Sequence, residues 1–290
     1  MIETGNFNSS DSTKLFYRAL PVEKGRIPVV ITHGFAEHSG RYGEVMSELH
    51  ENGFAPLAFD LRGHGHSEGR RGYISSFQDY VNDLKSAVNF ALERNKAEHV
   101  LLLAHSMGGL IAAHYGVSEP EKVLGMVISS PLFGIRIQVP RWKKELGHLM
   151  SKYWPSFSMP NQIDANLLTH DTSKAEAYRT DPLIFHHVCA RWFEEIAEKT
   201  ENSSESAKKL KVPFLLQLAE DDHIVSFEKS CEWYANTVSA DRSQRTYPGF
   251  YHEIYNETER AKPIGDFISW MQERWPLKKA PIATEIRDTL

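Results

Sequence analysis

The chain has 290 residues, 41% hydrophobic and 24% charged, enough apolar material for one large α/β domain with an insertion or for two modest domains. Its formal net charge of −5 removes the electrostatic reason to expect nucleic-acid binding. Two cysteines, Cys189 and Cys231, are too few for a disulfide framework or a thiolate metal centre. No apolar run reaches the ~18 residues that span a bilayer.

The chain opens on a polar segment without the basic and apolar regions of a secretory signal, so a cytoplasmic protein is expected. Beyond it, strand-length apolar runs alternate with helical patterns. Strands are predicted at 14–20, 27–33, 54–60, 99–105, 124–130, 212–219 and 243–248, and helices near 41–52, 77–96, 107–118, 226–238 and 257–275. Several of these strands, such as those in "IPVVITH" and "HVLLLAH", contain continuous apolar runs, as expected of parallel strands covered on both faces. The predicted class is therefore α/β, a mostly parallel central sheet flanked by helices.

Between residues 134 and 209 the alternation stops. Helical patterns fill this stretch, with no convincing strand, and the strand pattern resumes at Val212. The block reads as a helical cap inserted over the carboxyl ends of the strands, where open α/β sheets bind ligands. The core is then expected in two parts, 1–133 and 210–275, followed by a loosely attached polar tail, 276–290.

"AHSMGG" (104–109) sits where an apolar strand turns into a helix. A serine on so sharp a turn needs small neighbours two positions before and after it, and Ala104 and Gly108 meet that need. Ser106 is thus a candidate nucleophile; the alternative is a serine that merely caps the helix starting at Met107. A nucleophilic serine needs a base, and the base needs a carboxylate. On this kind of sheet they follow in the order Ser, acid, His, each after a strand. "LAEDDHIV" supplies Asp222 after the strand at 212–219, or Asp221 if the turn is one residue tighter. "PGFYHEIY" supplies His252 after the last strand, the best-placed of fourteen histidines. An oxyanion formed during acyl transfer requires preorganised N–H donors. Met107, at a helix amino terminus, and Phe35, in the loop "THGFAEH", are the candidates. "FDLRGHGHSEGRRGY" lacks dinucleotide-loop spacing and reads as a scaffold turn near the site. No zinc-protease motif occurs, and "DDH" is a weak metal signal, so no metal is expected.

Together, "HGFAEHSGRY", "FDLRGHGHSEGRRGYISSFQDYVNDL", "AHSMGGLIA", "TDPLIFHHV" and "PGFYHEIYNE" resemble the monoacylglycerol lipase and lysophospholipase branch of the α/β-hydrolases, from about residue 12 to 275. The resemblance implies an α/β-hydrolase core, a cap, no cofactor, and hydrolysis of a monoacyl lipid ester. It assigns Ser106 as nucleophile, Asp222 as acid, His252 as base, and Phe35 and Met107 as oxyanion donors. Two departures stand out: Ala104, and Phe35 where the family often has a smaller residue. The latter bears on substrate size more than on reaction type. A general carboxylesterase, an S33-type peptidase on the same fold and a non-catalytic small-molecule binder are the competing readings. Aspartate-nucleophile relatives are disfavoured by Ser106.

In "RIQVPRWKKELGHLMSKYWP" (136–155), Trp142, Leu146, Leu149, Met150 and Tyr153 recur at helical spacing, with five basic side chains against Glu145. Two readings remain open: a stripe packed on the core, or a basic amphipathic helix resting on an anionic membrane surface. The expected partner is a small lipid ester, with peripheral membrane contact through the cap as a further expectation.

Overall fold

The computed structural model describes residues 1–136, 141–161 and 163–276, without the side chains of residues 141–146. The expected tail beyond Pro276 lies outside the described residues. Five strands open the chain: β1 (Glu3–Asn8), β2 (Lys14–Ala19), β3 (Pro28–Thr32), β4 (Ala55–Phe59) and β5 (Val100–His105), with α1 (Gly43–Glu51) before β4 and α2 (Phe77–Asn95) before β5. Then come α3 (Met107–Ser118) and β6 (Val123–Ser129). An inserted segment carries α4 (Arg141–Tyr153), β7 (Ser158–Pro160), α5 (Thr172–Thr180), β8 (His187–Cys189), α6 (Ala190–Glu201) and α7 (Ser203–Ala207). β9 (Phe214–Ala219), α8 (Phe227–Asn236), β10 (Arg242–Tyr247) and α9 (Ala261–Arg274) complete it.

Eight strands form one sheet in the order β1-β2-β4-β3-β5-β6-β9-β10. β1 and β2 are antiparallel to each other, β2 is antiparallel to β4, and every other pair is parallel. Successive side chains of a strand point to opposite faces, and both faces are covered. Val29, Ile31, Leu101 and Leu103 pack with Met46 and Leu49 of α1 and Phe267 and Met271 of α9. Val30 and Leu102 pack on the other face with Tyr80 and Leu84 of α2 and Leu110 of α3. That double burial is why these strands carry no polar alternation. α3 is apolar over most of its surface because it is largely enclosed: Leu110, Ile111, Ala112, Ala113 and Tyr115 are fully buried, and His114 is half-buried.

Several elements depart from expectation for local reasons. β1 has no strand signal, since "ETGNFN" is polar and buries only Phe7; it exists by pairing with β2 across a turn in which Ser12 takes φ 70°. α9 begins at Ala261 rather than near 257. The preceding residues serve a loop in which the buried Glu257 carboxylate accepts N–H bonds from Tyr251, Thr258 and His170. The inserted segment was expected without strands, yet β7 and β8 pair antiparallel. Each is three residues long, too short to show a period. The ribbon is tied to the core where Cys189 N–H donates to Gly72 O at 2.8 Å.

In the strand order, β3 is flanked by β4 on one side and β5 on the other, so the chain winds away in both directions from this point. Connections leaving such a switch point open a crevice at the carboxyl ends of the strands. The loops after β3 and β5, those holding Gly34 and Ser106, lie there.

Candidate active site

Ser106 follows the last residue of β5 and precedes the first of α3, with φ 53° and ψ −119°. A non-glycine residue in such a conformation is strained, and surrounding structure must hold it. Here Ser106 N–H donates to Ser129 O on β6, while Ser106 O accepts from Gly109, Leu110 and Leu132. A Cβ at Gly108 would lie 2.4 Å from Thr32 O and 2.6 Å from His33 O, both backbone atoms of the neighbouring strand end. Only glycine lets α3 approach β3 so closely. Ala104 is fully buried within β5, paired in register with Thr32 and Ile128, so its methyl packs in the core and does not crowd the turn.

The Ser106 side chain makes no helix-capping hydrogen bond. Its hydroxyl instead lies 3.0 Å from His252 Nε2, and His252 Nδ1 lies 2.7 Å from Asp222 Oδ2. The carboxylate can only accept, so Nδ1 carries the proton and Nε2 is left to accept from Ser106. All three residues are buried. Burial by itself would lower the imidazole pKa, but the Asp222 charge and hydrogen bond outweigh it and hold His252 above its ordinary value. Asp222 is lowered in turn: burial opposes the charge, and His252 together with the Val225 and Ile224 N–H groups overcomes it. Asp221 is exposed, and its N–H is bonded to Phe250 O. The turn at Gly249, with φ 73°, lets His252 follow β10 closely.

A serine hydroxyl bonded to an imidazole that a carboxylate holds in one tautomer is an arrangement able to generate an oxygen nucleophile. The loop after β3 lies beside it: a Cβ at Gly34 would stand 3.1 Å from Ser106 Cβ. Leu61 N–H donates to His33 Nε2, which leaves His33 Nδ1–H to donate to Gly34 O at 2.7 Å. Gly34 N–H donates to Glu37 at 2.6 Å. The next residue, Phe35, and Met107 across the turn have no protein acceptor for their N–H groups among the described residues.

Sequence reasoning gave no role to a buried ionic cluster behind His252. Arg41 donates to Glu37 at 2.9 Å and to both oxygens of Glu253 at 2.5 and 2.7 Å. Tyr42 OH also donates to Glu37, and Asn256 to Glu253. Burial pushes the Glu37 carboxyl up, but Arg41, then His105 and His33, bring it down to about 2. The ring of Tyr178, from the inserted segment, stands 5.1 Å from the Arg41 guanidinium. "HGFAEHSGRY" contains Glu37 and Arg41, but their partner Glu253 is 212 residues away from Arg41, and no local pattern links them. His105, next to Ser106, is pushed down to about 4 by burial and by His252, so it is neutral near pH 7.

These groups open onto a cavity of about 560 Å³. One end is polar, with Ser106, His252, Glu37, His105, Tyr178 and Glu253. The remainder is mainly apolar and is walled largely by the inserted segment, through Met150, Phe157, Trp192, Phe193 and Ile196. Of the residues at helical spacing on α4, Met150 lines the cavity, whereas Leu149 and Tyr153 are 49% and 70% exposed; the side chains of Trp142 and Leu146 lie outside the described residues. Among the described residues, no group of three or more His, Cys, Asp and Glu side chains could hold a metal ion.

A family model, Hydrolase_4, described as serine aminopeptidase, S33, matches residues 23–259. The chain belongs to this family. Phospholipase YtpA of Bacillus subtilis is 31% identical to the hydrolase over 80% of this chain and 90% of its own length. An uncharacterised abhydrolase-domain-containing protein of Dictyostelium discoideum is 30% identical over 93% of this chain, which spans only 29% of that relative. Among solved structures, the monoacylglycerol lipase of Paleococcus ferrophilus superimposes on the hydrolase with a TM-score of 0.81 and 27% identity, covering 94% of this chain and 99% of its own.

Proposed function

We propose that the protein hydrolyses the carboxylic ester of monoacyl lipids with an uncharged head group, using Ser106 as nucleophile, His252 as base and Asp222 as its acid partner. The observation that carries this reading is the unbroken Asp222–His252–Ser106 line at 2.7 and 3.0 Å, opening on an apolar cavity of about 560 Å³. His252 Nε2 takes the Ser106 proton as Oγ bonds to the ester carbonyl carbon. The carbonyl oxygen becomes an oxyanion and is met by the N–H groups of Met107 and Phe35, each such donor worth ~2.7–4 kcal/mol. Collapse breaks the bond to the leaving oxygen, which departs as an alcohol with the proton from His252. Water then gives a proton to His252 and its oxygen to the acyl carbon, and Ser106 leaves with that proton restored.

The polar end favours this substrate over the alternatives. Glu37 and Glu253 share the single cation Arg41, so the end carries excess negative charge and opposes a phosphate-bearing head group. A peptidase that recognises a free α-ammonium needs a carboxylate with oxygens to spare. Those of Glu37 and Glu253 are already bonded to Arg41, Gly34, Tyr42 and Asn256. The names of the relatives, a phospholipase and a monoacylglycerol lipase, agree with an acyl-lipid substrate. Residues 134–209 act as a cap that supplies the acyl wall, between core parts 1–133 and 210–275.

The cap also carries a face suited to a membrane surface. Leu149, Tyr153 and Trp154 are 49%, 70% and 58% exposed beside Lys152. Among the described residues no helix is long and apolar enough to cross a membrane, so contact would be peripheral. Co-sedimentation with anionic vesicles should fall when Tyr153 and Trp154 are replaced by serine; unchanged binding removes the membrane reading.

A fluorophosphonate probe should label the wild type and leave Ser106→Ala unlabelled. Turnover should favour 1-monoacylglycerols over lysophospholipids of the same acyl chain. A folded wild type that is not labelled sinks the enzyme reading, and a preference for the lysophospholipid sinks the head-group argument.

A further inference from the structure

We infer that Phe35 is a positioning residue whose ring, held by two aromatic side chains of the inserted segment, fixes the N–H that meets the oxyanion. The inference rests on the ester-hydrolase reading above and extends it: the inserted segment completes the catalytic machinery as well as covering it.

The loop after β3 is anchored on the near side of Phe35 and free at it. Gly34 is held at both its N–H and its carbonyl, by Glu37 and His33. The next residue after Phe35, Ala36, has φ 63°, a left-handed conformation that costs a non-glycine residue about 1–3 kcal/mol unless its surroundings hold it. The peptide that carries the Phe35 N–H is held at its other edge, where Gly34 O accepts from His33, but neither the Phe35 N–H nor the Phe35 carbonyl has a hydrogen bond among the described residues. The far side of that peptide is therefore held by the Phe35 side chain. The Phe35 ring lies 4.0 Å from the Trp192 ring of α6 and meets Phe185 edge-on at 5.4 Å, with His64 edge-on at 6.0 Å beneath. The two edge-to-face pairs are favourable beyond the area they bury, and the tilted Trp192 ring is in direct contact.

The clamp is itself rigid. Trp192 Nε1–H donates to Tyr80 OH on α2 at 3.1 Å, and both residues are buried. Phe185 is buried, 5.0 Å from His64, with the Arg71 guanidinium 5.8 Å from its ring. Arg71 in turn donates to the Gly65 and Gly63 carbonyls. The glycine-rich turn at 62–72 therefore braces the inserted segment, and the inserted segment braces Phe35. A smaller side chain at this position would leave the N–H held only by the His33–Gly34 bond and the strained Ala36 turn.

The test is a double-mutant cycle on a short soluble ester, p-nitrophenyl butyrate, which makes little use of the acyl wall. Phe35→Ala and Trp192→Leu should each lower kcat about tenfold or more, less than outright loss of a donor, with KM within about twofold. The double variant should be no slower than the slower single variant, because both remove one clamp. Affinity for a trifluoromethyl ketone, whose serine adduct carries the oxyanion, should fall by the same factor as kcat/KM. Thermal unfolding of each variant checks folding, and Phe35→Leu, which keeps a buried apolar side chain, should show the same pattern at smaller size. Unchanged kcat in Phe35→Ala, or losses that multiply in the double variant, would overturn the inference. Absence of fluorophosphonate labelling in the folded wild type would overturn the ester-hydrolase reading first, and this inference with it.

Discussion

Arg41→Met keeps the length of the side-chain stem and removes the cation between Glu37 and Glu253. In the native protein that cation makes three hydrogen bonds of 2.5–2.9 Å to two buried carboxylates. Taking away one partner of a buried ion pair leaves uncompensated charge and costs ~3–5 kcal/mol. For a chain of this size that corresponds to a fall in Tm on the order of 10 °C. The loss should depend on pH in a defined direction. Wild-type Glu37 is lowered to about 2, so its contribution is fully present above the unfolded carboxyl pKa and is lost only as pH falls toward 2. Without Arg41, burial and mutual repulsion raise at least one of the two carboxyls above its unfolded value. A group shifted that way destabilises the folded state at high pH and ceases to do so once protonated. The Tm deficit should therefore be largest near pH 8 and shrink toward pH 5, measured by circular dichroism melts of both proteins in matched buffers. A deficit below about 2 °C at pH 8, or one that is the same at both pH values, would refute the ionic account of this cluster.

Asp222→Asn should lower kcat by about 10⁴ through loss of the correct imidazole tautomer. Because Asp222 is what raises His252 above its ordinary value, the acid limb of kcat/KM should lie above about pH 6.5 in the wild type and move to lower pH in the variant; a limb that stays put would remove Asp222 from the titration. Gly108→Ala drives a methyl into the Thr32 and His33 carbonyls, and should cost ~1–3 kcal/mol and slow fluorophosphonate labelling. By contrast, Ala104→Gly should cost only ~0.5–1 kcal/mol and leave the labelling rate unchanged; slowed labelling there would show that the methyl shapes the turn.

Most of the sheet was legible because its strands are buried on both faces. "PVVI" and "VLLLA" are continuous apolar runs, as strands covered on both faces require. The turn at Ser106 was legible for a steric reason, since Gly108 is needed wherever a helix starts against a neighbouring strand end. His252 and the Asp221–Asp222 pair were found by chain order, each in the loop after its strand. β1 was not legible, because a polar edge strand is stabilised by its partner's hydrogen bonds and leaves no period of its own. The ribbon of β7 and β8 escaped because strands of three residues are too short to show a period.

Most of the sheet, the turn at Ser106, His252 and the Asp221–Asp222 pair could be read from residue order alone, since each is a local steric or spacing requirement. The two adjacent carboxylates look alike in the sequence, and the folded chain bonds Asp222 to His252 while Asp221 is exposed. Only the tertiary structure brought Arg41 to Glu253 and Phe35 to Trp192. Those are contacts between chain segments whose individual patterns carry no record of each other, and they form when the inserted segment and the last loop close over the same strand ends.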